Sequence, residues 1–280
     1  MDPQKIQVKL AELNTILDAR SPFMLAFSGG LDSRFIAHTA AKASVPFTAV
    51  HIRGPHIPRT ESEFAKAWLC KRNIPLVEIS FDPLGIMEVA EGSTERCYAC
   101  KREMFSLILA AARGLPVLEG SNASDLTKFR PGLRAIKELG IISPLALTNI
   151  SKPEVRAIAG VTGMDKPDQP SRPCLLTRFD YGVYPNLEQL QKLERAEDEI
   201  ANLGFKAFRL RLPKEGKPFL QVDWNENRLL ESKKDALLKK LDWLGFPNLD
   251  VQLEIELSGH FDQAEESEEE KELKLLQSLF

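Results

Sequence analysis

The run Phe27-Ser28-Gly29-Gly30-Leu31-Asp32-Ser33 constrains this chain more than any other stretch. A short apolar segment at 23–27 (FMLAF) precedes it and an alanine-rich segment at 34–43 follows. The first reads as a buried strand and the second as a helix, so the two glycines must turn the chain sharply between them. Such a turn aims the unsatisfied amides of a helix N-terminus at the place where an anion would sit. Ser28 and Ser33 add hydroxyl donors, and Asp32 can hold a magnesium ion between phosphates. Further strands are expected at 46–52, 75–80 and 116–122, with helices over 61–73 and 97–113. This alternation predicts the α/β class, a parallel sheet covered on both faces. A helix over 4–19 precedes the first strand. Residues 142–147 read as a buried strand or loop, and 151–163 as a helix capped by Ser151 with Pro153 in its first turn.

The full pattern Ser28-Gly29-Gly30-x-Asp32-Ser33 resembles the pyrophosphatase-type loop, or PP-loop, of ATP enzymes that adenylate a substrate. It is neither a Walker motif nor a Rossmann fingerprint. The resemblance implies an adenine nucleotide alpha hydrolase-like sheet with its ATP site at Ser28, Gly29, Gly30, Asp32 and Ser33. A loop dense in proline and polar residues at 164–182 marks a composition break. The expected organisation is a PP-loop ATP pyrophosphatase domain at 1–180, a small α+β domain at 181–262 and an acidic tail at 263–280.

Composition limits the remaining possibilities. The 280 residues are 43% hydrophobic and 28% charged, as in globular proteins that need no staples. No run approaches the length of a membrane span, and the N-terminal residues lack the pattern of a secretory signal. The expectation is a cytoplasmic protein with no membrane partner. A net charge of −3 argues against a general nucleic-acid partner. Four cysteines are too few for a disulfide scaffold, so in a reducing compartment they are ligands, reactive thiols or core residues. Cys70, after Ala67-Trp68-Leu69 in an amphipathic segment, reads as a packed core thiol.

The other candidates lie in polar turns. Gly120-Ser121-Asn122-Ala123-Ser124-Asp125 follows an expected strand, at the end of the sheet where open α/β folds bind ligands. Asp125 can bind magnesium or orient a substrate, and Arg130 just beyond is a candidate anion clamp. Cys174 has Arg172 and Arg178 nearby, and positive neighbours favour a thiolate. Cys97 and Cys100 can be a redox pair, part of a zinc site or ligands of an iron–sulfur cluster. With Cys174 as a third thiolate, either a [4Fe–4S] cluster with one open iron or a zinc ion with one open position is chemically allowed.

Several ordered motifs together carry a closer resemblance: SGGLDS (28–33), RCYACK (96–101), GSNASD (120–125), RPG (130–132), SPL (143–145) and SRPCLLTRF (171–179), with a weaker match at GFKAFRLR (204–211). On these the chain resembles the LarE family of ATP-dependent sulfur transferases, which build the nickel-pincer nucleotide cofactor. The resemblance implies adenylation of a carboxylate of pyridinium-3,5-biscarboxylic acid mononucleotide and displacement of AMP by sulfur, with ATP and Mg2+ as cofactors. It further implies either a sacrificed cysteine at Cys174 or a [4Fe–4S] cluster held by Cys97, Cys100 and Cys174. The three-cysteine pattern looks like the cluster type. The small domain of the family serves oligomerisation, implying a homo-oligomer, and a substrate-phosphate or metal site; the matching residues are Glu197, Arg209 and Arg211, beside the substrate contacts Arg130 and Arg172. The chain departs from the family at Leu212 and at Gln221-Val222-Asp223. The sulfur donor is not written in the sequence. Rival readings are thiolation of transfer RNA or another small molecule, an amidotransferase-linked ligase, and a non-catalytic nucleotide or redox sensor.

Overall fold

The computed structural model describes residues 2–127 and 130–262; the expected acidic tail at 263–280 lies outside the described residues. Two compact units separate, one of residues up to 177 with 184–191, the other of 178–183 with residues from 192 onward.

In the first unit the elements run α1 (Pro3–Ala19), β1 (Phe23–Ala26), α2 (Leu31–Lys42), β2 (Phe47–Arg53), α3 (Arg59–Cys70), β3 (Leu76–Ser80), α4 (Met87–Ala90), α5 (Arg96–Ala112), β4 (Val117–Leu118), α6 (Gly132–Glu138), α7 (Pro144–Leu147) and α8 (Lys152–Val161). The four strands form an all-parallel sheet in the order β3-β2-β1-β4. This is the α/β arrangement of a Rossmann-like nucleotide-hydrolase fold. The strand alternation sorts the core into two layers. Phe23, Leu25, Phe27 and Ala49 face the side covered by α1, α2, α3 and α8, while Met24, Val50 and Ile52 face α5 and α6. Burying each such large apolar side chain contributes roughly 1.5–3 kcal/mol, which is why β1, apolar on both faces, belongs at the sheet centre.

Two expectations change. Residues 142–147 do not make a strand. Ile142 forms a single bridge to Leu118, and Pro144 then opens α7, because proline fits the first turn of a helix and cannot donate to a ladder. Cys70 is exposed rather than packed in the core. Trp68 and Leu69 take the buried positions of α3, and the helical turn carries Cys70 away from them.

In the second unit, β5 (Phe208–Arg211), β6 (Phe219–Asp223) and β7 (Asp250–Glu254) form a sheet in that order, antiparallel then parallel. The parallel step needs a crossover, and α10 (Asn227–Trp243) supplies it. Leu210, Leu220 and Val222 are fully buried, with Leu237 and Leu241 of α10 and Ile200 of the preceding helix, α9 (Leu187–Asn202).

Helix α8 begins with a capping box. Ser151 and Glu154 bond reciprocally, and Lys9 of α1 reaches the same carboxylate at 2.9 Å. Burial works against the Glu154 charge, but the Ser151 amide and hydroxyl with Lys9 and Lys5 outweigh it and hold the carboxyl at about 2. A depressed carboxylate contributes stability above its unfolded pKa and loses it as pH falls through the folded one. Glu154→Ala is expected to cost about 1 kcal/mol at neutral pH, after allowance for solvent screening. In urea titrations the gap from the parent should close as pH falls from the ordinary carboxylate range toward about 2; a gap constant with pH would assign the loss to helix propensity alone.

Candidate active site

The chain runs outward from β1 to β2 and β3, then returns to place β4 on the other side of β1. Strand order therefore reverses between β1 and β4, and a crevice opens at their carboxyl ends. The two loops that border it are Phe27–Gly30 and Glu119–Asp125, the motifs singled out above.

The β1 loop is held in shape by its own polar groups. Ser28 Oγ lies 3.2 Å from Ser33 Oγ and accepts from Gly30 N at 3.3 Å, while Ser33 Oγ also reaches the Gly30 carbonyl. Gly29 has φ of +79°, and a Cβ there would stand 2.8 Å from the Ala65 Cβ. Only glycine meets both demands. No side chain caps the N-terminus of α2, so its first-turn amides remain directed at the crevice. The β4 loop packs directly on this turn, since a Cβ on Gly120 would lie 3.1 Å from Ser33 N. It is braced by buried Glu119, which accepts from Ser121 N and Oγ at 2.9 Å each and from Ser143 Oγ. Asn122 and Asp125 close a capping box, and Asn122 Nδ2 approaches Asp32 Oδ1 at 3.4 Å.

A cation completes the crevice. Lys152, the first residue of α8, donates from Nζ to Asp32 Oδ2 at 2.5 Å, and its backbone N donates to Ser124 Oγ. Sequence reading missed Lys152 because it lies far along the chain. Its one local signal was the capping box that starts α8. Asp125 pairs with Arg130 at 2.9 Å. Burial pushes the Asp32 carboxyl above its ordinary value; Lys152 opposes this and the Asp125 charge adds to it. Asp32 and Asp125 are thus each matched by a cation, Lys152 and Arg130, and are the carboxylates here that could hold a divalent ion in exchange for those pairs.

The three candidate thiols all lie in this unit. Cys97 and Cys100 sit in the first two turns of α5, and Cys174 immediately precedes a 3-10 turn at Leu175–Arg178. Leu175 N donates to the His56 carbonyl at 2.8 Å, anchoring the Cys174 loop beyond β2. Burial pushes the Cys100 thiol well above its ordinary value, and the charges of Cys174 and then Cys97 push it further, against Lys101. Cys174 and Cys97 are therefore near enough to Cys100 to oppose its ionisation. Among the described residues no three His, Cys, Asp or Glu side chains are drawn together around a single ion. Three thiol side chains, of which Cys100 resists ionisation without a compensating cation, are a donor set that would suit an iron–sulfur cluster, whose irons each take their own thiolate. The RPG segment packs on this helix, as a Cβ on Gly132 would fall 2.6 Å from the Lys101 side chain and 3.4 Å from the Cys97 carbonyl. Arg172 is turned to Glu61 at 2.9 Å.

In the second unit Glu197, Arg209 and Arg211 form a separate buried group with Arg178. Arg178 grips Glu197 through Nε and Nη2, both at 2.8 Å. Burial opposes the Glu197 charge, yet Arg178 and Arg209 hold its carboxyl below the usual range. Arg211 donates to Gln221 Oε1 at 2.7 Å and to the Leu257 carbonyl, and burial lowers its pKa to about 10. Gln221 in turn lies 3.0 Å from His260 Nδ1. Gln221 is thus the neutral partner of Arg211, a pairing that the sequence alone does not reveal.

No family model matches the chain. An uncharacterized protein of Synechocystis sp. is 35% identical over 213 residues, covering 74% of this chain and 78% of that protein. The chain belongs to that protein's family. An uncharacterized protein of Methanocaldococcus jannaschii is 29% identical over 83% of this chain and 89% of its own length. A protein of Lactiplantibacillus plantarum named pyridinium-3,5-bisthiocarboxylic acid mononucleotide synthase is 26% identical over 74% of this chain and 76% of its own. Among the described residues no helix is long and apolar enough to cross a membrane.

Two outcomes follow from the loop geometry. Gly29→Ala is expected to destabilise the chain by about 1–3 kcal/mol in urea titration, from the left-handed backbone and the overlap with Ala65. Because the folded chain binds the Asp32 proton more tightly than the unfolded chain does, ionised Asp32 costs stability in full above its folded pKa, and the cost fades as pH falls from there to the ordinary carboxylate value. Asp32→Asn should therefore keep or raise the thermal midpoint at neutral pH. A fall in that midpoint would mean that the Lys152 pair outweighs the desolvation.

Proposed function

We propose that this chain is an ATP-dependent sulfurtransferase of the PP-loop type, acting on pyridinium-3,5-biscarboxylic acid mononucleotide in nickel-pincer nucleotide cofactor biosynthesis. The observation that carries the reading is the crevice between β1 and β4, where uncapped α2 amides, Asp32 and Lys152 meet. The name of the Lactiplantibacillus relative and the three thiols near one another support the sulfur half of the reaction.

In this reading a carboxylate oxygen of the substrate attacks the α-phosphorus of ATP, and the bond to the β-phosphate oxygen breaks. The acyl adenylate forms and pyrophosphate leaves. Amides of the Gly29–Ser33 turn and the Ser28 and Ser33 hydroxyls take up the developing charge; Asp32, with Asp125, would hold Mg2+, which when bound supplies further charge neutralisation. Lys152, which donates to Asp32, would be free to turn toward the phosphates when that carboxylate holds Mg2+. A sulfur nucleophile then attacks the acyl carbon and AMP departs with its bonding pair. Cys97, Cys100 and Cys174 would hold a [4Fe–4S] cluster, which when bound offers an iron able to carry sulfide. Arg130 and Arg172 would steer the substrate's anionic groups, and Glu197, Arg209 and Arg211 its phosphate. In this reading the protein works in the cytoplasm as a homo-oligomer and takes a small-molecule substrate and a sulfur donor.

The test is anaerobic turnover with ATP, Mg2+, sulfide and the pyridinium mononucleotide, read by mass spectrometry for AMP and the thiocarboxylate. Asp32→Asn should abolish both products. Cys174→Ala should lower bound iron and acid-labile sulfide and stop thiocarboxylate formation while leaving the pyrophosphate release of the adenylation step. A full, unchanged cluster in the Cys174→Ala protein would overturn the three-ligand assignment. Loss of one sulfur from Cys174 in the intact mass after turnover would replace the cluster by a sacrificed cysteine. AMP without any sulfurated product under any sulfide supply would remove the family reaction.

A further inference from the structure

Arg34 is the residue immediately after the phosphate loop, and its side chain is completely buried. Its guanidinium is used as a fork. Nε donates to the Gly29 carbonyl at 3.1 Å, Nη1 to the Asp165 carbonyl at 2.8 Å, and Nη2 to the Lys166 carbonyl at 3.1 Å and to Gln169 Oε1. The nearest carboxylate oxygen, on Asp165, is at 3.8 Å, and that carboxylate is already held by Trp68 Nε1 at 2.8 Å and Arg72 at 2.6 Å. Lys166 itself adopts a left-handed backbone, φ +48°, that a side-chain-bearing residue rarely takes. Burying a charge costs more than burying an apolar side chain of the same volume, so packing alone would favour a methionine or leucine here. What an arginine adds is the ability to join acceptors from two separate stretches of chain in fixed geometry.

Those stretches are the two that the proposed reaction must coordinate. One is the Gly29–Gly30 peptide. Its carbonyl is bound by Arg34, while its N–H faces the loop and has only a 3.3 Å contact to Ser28 Oγ. A peptide unit is a rigid plane, so a phosphate taken by the N–H reorients the carbonyl on its far side. The other stretch leads in a few residues from Gln169 to Cys174, tied down by Arg172 to Glu61 and by Leu175 N to His56.

We propose that Arg34 is a positioning residue that couples the phosphate loop to residues 164–176, so that nucleotide binding orders the segment bearing Cys174. The proposal rests on the ATP-dependent reading above. It is tested by hydrogen exchange of the full chain with and without ATP and Mg2+, followed by mass spectrometry of peptides covering 27–36 and 164–176. In the parent chain ATP should slow exchange in both peptides. In Arg34→Met the 27–36 peptide should remain protected by ATP while the response of 164–176 is lost. Arg34→Lys keeps the charge without the fork and should lose the same response, which serves if the methionine variant does not fold. An undiminished response of 164–176 in these variants overturns the coupling. So does a parent chain in which only 27–36 responds. If neither peptide of the parent responds, the coupling and the ATP reading fail together.

Discussion

Everything at the candidate site depends on the parallel pairing of β1 on both of its edges. With β2 on one side and β4 on the other, the carboxyl end of β1 becomes the point where the sheet reverses direction. Two loops that are far apart in sequence must then abut, and they do so closely enough that Gly120 has no room for a side chain beside Ser33. The same pairing buries the start of α2 without a capping side chain, so its amides need a partner from outside the helix. A phosphate meets that need with charge as well as hydrogen-bond acceptors.

The electrostatics of the unit follow from this burial. Asp32 resists ionisation in spite of Lys152, and Cys100 resists it beside two other thiols. A cation beside either group would favour its charged form. The protein thus holds two places where its own folding leaves negative charge disfavoured. Arg34 is the opposite case, a buried cation whose charge is spread over carbonyl oxygens rather than matched by one carboxylate.

Local chemistry made much of the fold legible. Short apolar runs located β1, β2 and β3, and the glycines and serines of residues 28–33 marked the turn into α2. The pattern failed where side-chain type and tertiary setting disagree. Ile142–Leu147 is apolar enough for a strand, but Pro144 ends the ladder and starts a helix. Cys70 sits in an amphipathic run, but its angular position on α3 points away from the core. Of the site, the loop residues and the cysteines could be named from spacing. Lys152 could not, because the partner that gives it meaning is Asp32, 120 positions earlier in the chain.

The sequence by itself determined the local conformations and the donor groups: a glycine turn between strand and helix, hydroxyls at its ends, and three candidate thiols in polar surroundings. Only the tertiary structure decided which of these groups meet. It brought Lys152 to Asp32, Gly120 to Ser33, Arg34 to both the phosphate loop and residues 165–169, and Gln221 to Arg211. The physical reason is range. Propensities and turn chemistry act over a few neighbouring residues, whereas burial, ion pairing and the backbone hydrogen bonds of buried arginines depend on strand order, which brings distant residues into contact.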